Sequence, residues 1–146
     1  MKKGMRFFFY GTLIDCRANP AARHMHTHLR PLGRTVAAGR LYAIPDRGGW
    51  YPALLPGRGK VHGRLYEAMD SFSSGDLARM DAYEDYDSKR PAASLYLRKS
   101  VATDAMRAEA YVYNRPVPLR ARRIASGDFT AWLAETGSTA FGSARF

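Results

Sequence analysis

The chain has 146 residues, of which 46% are hydrophobic and 12% aromatic. This composition excludes a disordered chain and is sufficient for one domain with a packed core, which we expect to span residues 1–146. The net charge of +10 favours contact with an anionic partner, but the basic residues are scattered along the sequence.

The location of the protein is predicted from three features. A single cysteine, Cys16, excludes an internal disulfide framework and fits a reducing compartment. The basic and apolar start is too short for a signal peptide, and no stretch approaches the roughly 20 apolar residues of a membrane span. We therefore expect a soluble cytoplasmic protein that does not contact a membrane.

Five runs of the chain are typical of β-strands, and they comprise residues 5–10, 36–44, 61–68, 95–102 and 108–113. The second and third contain the same tetrapeptide, Gly-Arg-Leu-Tyr, which predicts neighbouring strands in a curled sheet because glycine inside a strand marks a bend. Pro52 is expected to keep its segment out of a central ladder position. The last two runs are predicted to pair through the turn at Thr103 and Asp104.

Three helices are predicted, over residues 20–29, 73–87 and 126–137. Strands outnumber helices, and one helix stands between two groups of strands. The expected fold class is therefore α+β, with a small mixed β-barrel or curled sheet and a few flanking helices.

The stretch FFFYGTL, residues 7–13, is the first candidate for a functional site. An aromatic strand stops abruptly on Gly11 and Thr12, before the chain becomes apolar again at Leu13. A glycine at the end of a strand often marks only a turn. Such a turn can also present backbone N–H groups to an anionic or carbonyl-bearing ligand.

The second predicted helix carries the other candidate. Leu77, Met80, Asp81 and Glu84 share one stripe of the helix, so Glu84 is expected to point toward the core or the rim of a pocket. A carboxylate removed from water can accept a proton near neutral pH. The alternatives are a glutamate paired with one of the arginines and a helix rotated so that Glu84 is solvated.

Other reactive residues are not expected to form sites. His24, His26 and His28 alternate, and the first and last have metal-ligand spacing on a helix, but no cluster of cysteines or carboxylates lies nearby in the sequence. We therefore predict a solvated helix surface and no metal. Cys16 lacks a recognisable Cys-His-Asn arrangement, and it is expected to be a small packed side chain. The basic stretch at residues 115–123 is interpreted as solvated surface, so nucleic acid is not the expected partner.

Eight motifs occur in order between residues 6 and 133: FFFYGTL, GRLYAI, YPALLPG, VHGRLYEA, LARMDAYEDYD, YLRKSVAT, AEAYVYN and IASGDFTAWL. The ordered set resembles the γ-glutamylcyclotransferase-like proteins, which include the γ-glutamylamine cyclotransferases. Each motif is weak by itself, whereas the set in this order is specific. One departure is Asp85, which stands where the family usually has glycine and could alter the adjacent loop.

The resemblance implies a cyclotransferase fold around a small β-barrel, with Glu84 as the catalytic residue and a substrate cradle at Tyr10, Gly11, Thr12 and Leu13. It also implies the release of 5-oxoproline from a small γ-glutamyl compound, without a metal or organic cofactor. The substrate's α-amine attacks its own γ-carbonyl, with Glu84 acting as base and then as acid. Two alternatives stay open: a non-catalytic adaptor for a small molecule or protein, and a basic protein associated with nucleic acid.

Overall fold

The computed structural model describes residues 4–11 and 20–140, apart from the side chain of Ala21. A short 3-10 helix, Pro91–Ala93, lies among the main elements of these ranges. In chain order, the main elements are β1 (Arg6–Phe9), α1 (Pro20–His26), β2 (Leu29–Asp46), β3 (Gly49–Ala68), α2 (Ser74–Tyr83), β4 (Tyr96–Ala102), β5 (Arg107–Tyr113), β6 (Arg122–Arg123) and α3 (Phe129–Thr136).

The six strands form one mixed sheet in the order β4-β5-β1-β3-β2-β6. β1 pairs in parallel with β5, and the other pairs are antiparallel. The sheet curls far enough that Thr103, just beyond β4, forms a bridge with Ala37 of β2. The predicted α+β class with a curled mixed sheet is therefore confirmed, and the sheet has the shape of a half-barrel.

β2 and β3 form a long hairpin that contains both copies of the Gly-Arg-Leu-Tyr tetrapeptide. The prediction that these two segments lie in neighbouring strands is confirmed, although both strands extend well beyond the predicted runs. The pairing shifts register between Ala38 and Arg40, next to Gly39. A side chain at Gly63 would collide with the backbone oxygen of Phe9, so this glycine allows the close approach of β1.

Pro52 lies within β3 opposite Ala43 of β2, in a part of the strand that β1 does not reach, so the prediction that it avoids a central ladder position is confirmed. Its carbonyl oxygen accepts a hydrogen bond from the Tyr96 hydroxyl, and the N–H of Leu54, two residues further on, donates to the Tyr10 hydroxyl. Because strand residues two apart direct their N–H and C=O groups to the same side, this edge of β3 faces the tyrosines. β1 pairs with β3 only between Arg64 and Glu67 of β3. The missing N–H of proline therefore costs no ladder hydrogen bond.

The aromatic run of β1 is buried on both faces of the sheet. Phe7 and Phe9 pack into one apolar cluster with side chains from α1 and α2. Phe8 and Tyr10 point to the opposite face, where Phe129 of α3 completes a second cluster. Because successive strand residues alternate between faces and both faces are covered, four consecutive aromatic residues are accommodated.

α2 begins and ends through local hydrogen bonds. The Ser73 side chain caps the start and exchanges hydrogen bonds with Asp76, which forms a capping box. The predicted extension to residue 87 is wrong, since the helix ends at Tyr83 with Glu84 as its C-cap. Asp85 has a φ of 52°, a left-handed conformation that stops the helix.

The other two helices are also shorter than predicted. α1 ends at His26, because Leu29 already begins β2. α3 begins at Phe129, after the Asp128 side chain caps its first turn, and ends at Thr136, with Gly137 as its C-cap in a left-handed conformation. Within residues 20–140, none of the helices has the length and apolar character needed to cross a membrane.

Candidate active site

A cavity of about 150 Å³ lies on the open side of the half-barrel, where β1 ends. The lining comes from the end of β1, the β2–β3 hairpin, the end of α2 and the start of the loop beyond it, and strands β4 and β5. The lining residues are Phe8, Phe9, Tyr10, Gly11, Asp46, Tyr51, Pro52, Tyr83, Glu84, Asp85, Leu95, Tyr96 and Tyr111.

Three buried tyrosines, Tyr10, Tyr96 and Tyr111, form what we call the tyrosine wall of this cavity. The Tyr10 hydroxyl donates to the carbonyl of Tyr111 and accepts a 3.3 Å hydrogen bond from the backbone N–H of Leu54. The Tyr96 hydroxyl donates to the carbonyl of Pro52. Beyond the end of β1, these two side chains form hydrogen bonds with backbone groups on the edge of β3 that no strand pairs with. The cavity lies where strand pairing would otherwise continue.

The third hydroxyl of the wall anchors the end of α2. Tyr111 donates to Oδ1 of Asp81 at 2.6 Å, and Nε of Arg98 donates to the same oxygen at 2.9 Å. Arg98 also donates from Nη1 to Glu109 at 2.8 Å. Asp81, predicted on the same stripe as Glu84, therefore fastens α2 to β4 and β5 and does not line the cavity.

The charge of Glu84 acts on all three tyrosines of the wall. Burial is the largest cause that raises the pKa of Tyr10 well above its ordinary value, and Glu84 is the next. The pKa values of Tyr96 and Tyr111 are also well above their ordinary value, mainly through burial, with Glu84 among the further causes. The three hydroxyls therefore remain neutral at physiological pH, and their protons are already donated to protein acceptors.

Glu84 lies one residue beyond the end of α2, half-buried, and lines the cavity as the sequence predicted. Asp85 and Asp46 contribute two more carboxylates to the lining, and the described lining residues include no lysine, arginine or histidine. Three carboxylates at one cavity favour a ligand that carries a positive group, such as an ammonium.

Tyr10 and Gly11 also lie at the cavity, at the end of β1. A Cβ atom on Gly11 would stand 2.3 Å from Cγ of Pro52, so this position has room only for glycine. The other two predicted cradle residues, Thr12 and Leu13, lie outside the described residues, as does Cys16.

The sequence did not single out the remaining polar residues of the cavity. Tyr96 and Tyr111 belong to motifs that resemble the family, but nothing in their spacing assigned them a position at the site. Asp46 stands in a turn-like segment, and Asp85 was noted only for replacing glycine. These residues come together through pairing between distant strands, which no local pattern reports.

The fold and the cavity together define a class of protein: a small curled-sheet domain whose pocket places a carboxylate among neutral tyrosines. The chain belongs to the family described as gamma-glutamyl cyclotransferase, AIG2-like, whose model matches residues 7–131. The resemblance inferred from the sequence is thereby confirmed.

Individual relatives agree with this family. The chain is 34% identical over 130 residues to the gamma-glutamylcyclotransferase family protein YtfP of Escherichia coli K12, covering 88% of this chain and 96% of the relative. Its structure resembles the solution structure of ytfP from Escherichia coli, with a TM-score of 0.60, 32% identity and coverage of 86% and 96% of the two chains. An AIG2-like protein from Mus musculus gives a TM-score of 0.54 at 25% identity, with 81% of each chain covered.

Proposed function

We propose that this protein releases 5-oxoproline from a γ-glutamyl compound. The α-amine of the glutamyl group attacks its own γ-carbonyl, a new C–N bond closes the ring, and the original C–N bond to the leaving amine breaks. The observation that carries this proposal is the position of Glu84, whose carboxylate lines the cavity beside the end of β1. Because the attack is intramolecular, the protein need supply no nucleophile; holding the substrate folded provides much of the rate advantage.

The size of the cavity supports a small reacting group. A protein cavity of about 150 Å³ accommodates a molecule of the size of benzene. A glutamyl group folded toward a five-membered ring has a similar bulk, so the cavity volume of about 150 Å³ suits this half of the substrate. The leaving amine then extends through the mouth of the cavity, and its identity is constrained less by the enclosed space.

The proton transfers are assigned to Glu84. Its carboxylate first accepts a proton from the substrate's α-ammonium, which makes the amine nucleophilic, and then delivers that proton to the leaving amine. The tyrosine wall is a poor alternative, since its hydroxyls donate to Asp81 and to the carbonyls of Tyr111 and Pro52. In this proposal the wall shapes the cavity and keeps neutral groups around the reacting carboxylate.

The hydrogen-bond donors for the substrate are assigned to the end of β1. Glycine at position 11 lets the backbone approach a ligand closely, which a side chain would prevent. The N–H groups of Gly11, Thr12 and Leu13 would stabilise the substrate's carboxylate and the oxyanion that develops on the γ-carbonyl. Tyr10 completes this cradle by lining the cavity.

The basic stretch at residues 115–123 has structural contacts, which supports its interpretation as surface. Arg115 donates to the backbone carbonyl of Ala93 at 2.9 Å, and the guanidinium of Arg123 lies 5.7 Å from the centre of the Tyr42 ring. Binding to mixed oligonucleotides at increasing salt would test the nucleic-acid alternative, because phosphate contacts give a steep salt dependence.

The proposal is tested by incubating the protein with a panel of γ-glutamyl peptides, γ-glutamyl amines and γ-glutamyl-lysine, with 5-oxoproline measured by mass spectrometry. We expect release from at least one member of the panel and equimolar appearance of its free amine. An adaptor on the same fold would bind members of the panel without releasing 5-oxoproline, and that result would refute the proposed reaction.

A further inference from the structure

A second group of chemically reactive side chains lies away from the cavity, between α1 and α2. The histidines that were expected to be solvated, His24 and His28, stand close to Asp76 of the second helix. One ring nitrogen of each histidine and one carboxylate oxygen all lie within 4.8 Å of one another. The spacing of the two histidines is visible in the sequence, but the carboxylate that joins them follows at a long separation along the chain.

We propose that His24, His28 and Asp76 bind a divalent cation of the zinc class. Two imidazole nitrogens and one carboxylate oxygen are ligands that zinc prefers, and a water molecule can supply the fourth position. The ligand atoms of a tetrahedral zinc site lie roughly 3.4 Å apart, given bond lengths of about 2.0–2.1 Å. Side-chain movements of up to about 1.4 Å would bring the observed separations of up to 4.8 Å to this value.

The neighbours of the three ligands favour this closure. The His24 side chain is 53% exposed and can rotate toward Asp76, whose carboxylate oxygen lies 3.7 Å from its Nε2. Nδ1 of His28 lies 3.0 Å from the Ser71 hydroxyl, a hydrogen bond that orients the ring. Asp76 is buried and held by the capping box of α2, so one ligand of the site is fixed before an ion arrives.

One neighbour opposes an ion. Nη2 of Arg79 lies 2.6 Å from Oδ1 of Asp76 and places a positive charge beside the proposed site. A carboxylate oxygen has two lone pairs, so it can accept this hydrogen bond and also bind a metal, although the two cations repel each other. The Arg79 side chain is 59% exposed and can move into solvent when an ion binds.

The expected role of the ion is to fasten α1 to α2. α1 follows, along the chain, the segment of residues 12–19 that begins with the proposed cradle residues Thr12 and Leu13. An ion bound by the two histidines at α1 and by Asp76 of α2 would fix the position of α1, and with it the point where this segment joins the helix. Zinc should therefore raise the melting temperature of the protein whether or not the proposed cyclotransferase reaction takes place.

The test uses the full chain without an affinity tag, treated with a chelator and then titrated with Zn²⁺ in a calorimeter. We expect saturable binding of one ion per chain, a rise in melting temperature, and a visible absorption spectrum of tetrahedral Co²⁺ when cobalt replaces zinc. His24→Gln and His28→Gln should each weaken zinc binding by at least about tenfold and abolish the cobalt spectrum. His62→Gln and Cys16→Ser are the matched controls, and each should bind zinc as the wild type does.

Arg79→Gln tests the third ligand without removing the Asp76 side chain that caps α2. Because a competing cation is lost, this variant should bind zinc more tightly than the wild type. The proposal is overturned by an absence of saturable binding, by unchanged binding in both histidine variants, by loss of binding in either control, or by unchanged or weaker binding in Arg79→Gln.

Discussion

Replacement of Glu84 by glutamine is the sharpest perturbation of the proposed reaction. The amide keeps the shape of the side chain and much of its capacity for hydrogen bonds, but it cannot accept the proton of the substrate's α-ammonium. Folding should persist or improve slightly, because a half-buried amide costs less to remove from water than a carboxylate. Binding of the substrate should also persist, since the end of β1 is unchanged.

The size of the expected loss follows from the surroundings of Glu84. A general acid–base group contributes about 10² to 10⁴-fold in rate, which corresponds to roughly 3 to 5 kcal/mol of the activation barrier. The tyrosine wall cannot replace the lost group, because all three of its protons are donated to protein acceptors. Asp46 and Asp85 line the same cavity and are the remaining candidates for residual proton transfer, which favours the lower end of this range.

The assay measures the rate of 5-oxoproline release by mass spectrometry, at saturating concentration of the best substrate from the panel. Glu135→Gln is the matched control, because this glutamate is exposed on α3, far along the chain from Glu84, and should leave the rate unchanged. Circular dichroism and thermal melting establish that both variants are folded, and calorimetry with substrate separates binding from turnover. A folded Glu84→Gln variant that turns over within a few-fold of the wild type would show that Glu84 is not the base.

Three further predictions follow from the same geometry. Gly11→Val should weaken substrate binding strongly and cost roughly 1–3 kcal/mol of stability, since its Cβ would overlap the ring of Pro52. Thr12→Ser should change substrate binding little. Equal, large losses of affinity in calorimetry for both variants would show that the Thr12 side chain is needed. Asp81→Asn should lower the unfolding free energy by about 1–3 kcal/mol in urea titrations, because it weakens the attachment of α2 to Arg98. It should reduce turnover less than Glu84→Gln does, because the carboxylate of Glu84 stays in place. A loss of turnover as large as that of Glu84→Gln would contradict this role of Asp81. The tyrosine wall should make the protein less stable in alkali, because the folded state raises the pKa values of its three tyrosines and so favours their neutral form. Their contribution to the free energy of unfolding is complete below about pH 10, the ordinary pKa of tyrosine, and is lost as the pH rises above that value. Urea midpoints measured together with tyrosinate absorbance between about pH 8 and 12 would reveal it, and full ionisation of all nine tyrosines near pH 10 without loss of stability would contradict it.

The sequence by itself determined the features that depend on short segments of the chain. Alternation, glycine positions and capping residues located β1, β4, β5, part of β2 and of β3, and the starts of α1 and α2, and the order of eight motifs identified the family. The stripe of α2 and the abrupt end of β1 also singled out Glu84, Tyr10 and Gly11, which the structure brings to the lining of one cavity. These features are encoded locally because helix caps, strand periodicity and turn residues act within a few positions of the chain.

Only the tertiary structure revealed the rest. α2 was predicted to continue through residue 87, but Asp85 adopts the left-handed conformation for which glycine is suited, and the helix ends four residues early. Pro52 can lie inside β3 because β1 ends before it reaches this part of the strand, so no neighbouring strand on that edge needs an N–H from Pro52. The Tyr96 hydroxyl donates to the Pro52 carbonyl there instead. The approach of Asp76 to His24 likewise depends on how α1 meets α2. The end of α2 is set by the local backbone conformation of Asp85. The surroundings of Pro52 and the approach of Asp76 to His24 are set by partners far along the chain, which is why only the tertiary structure revealed them.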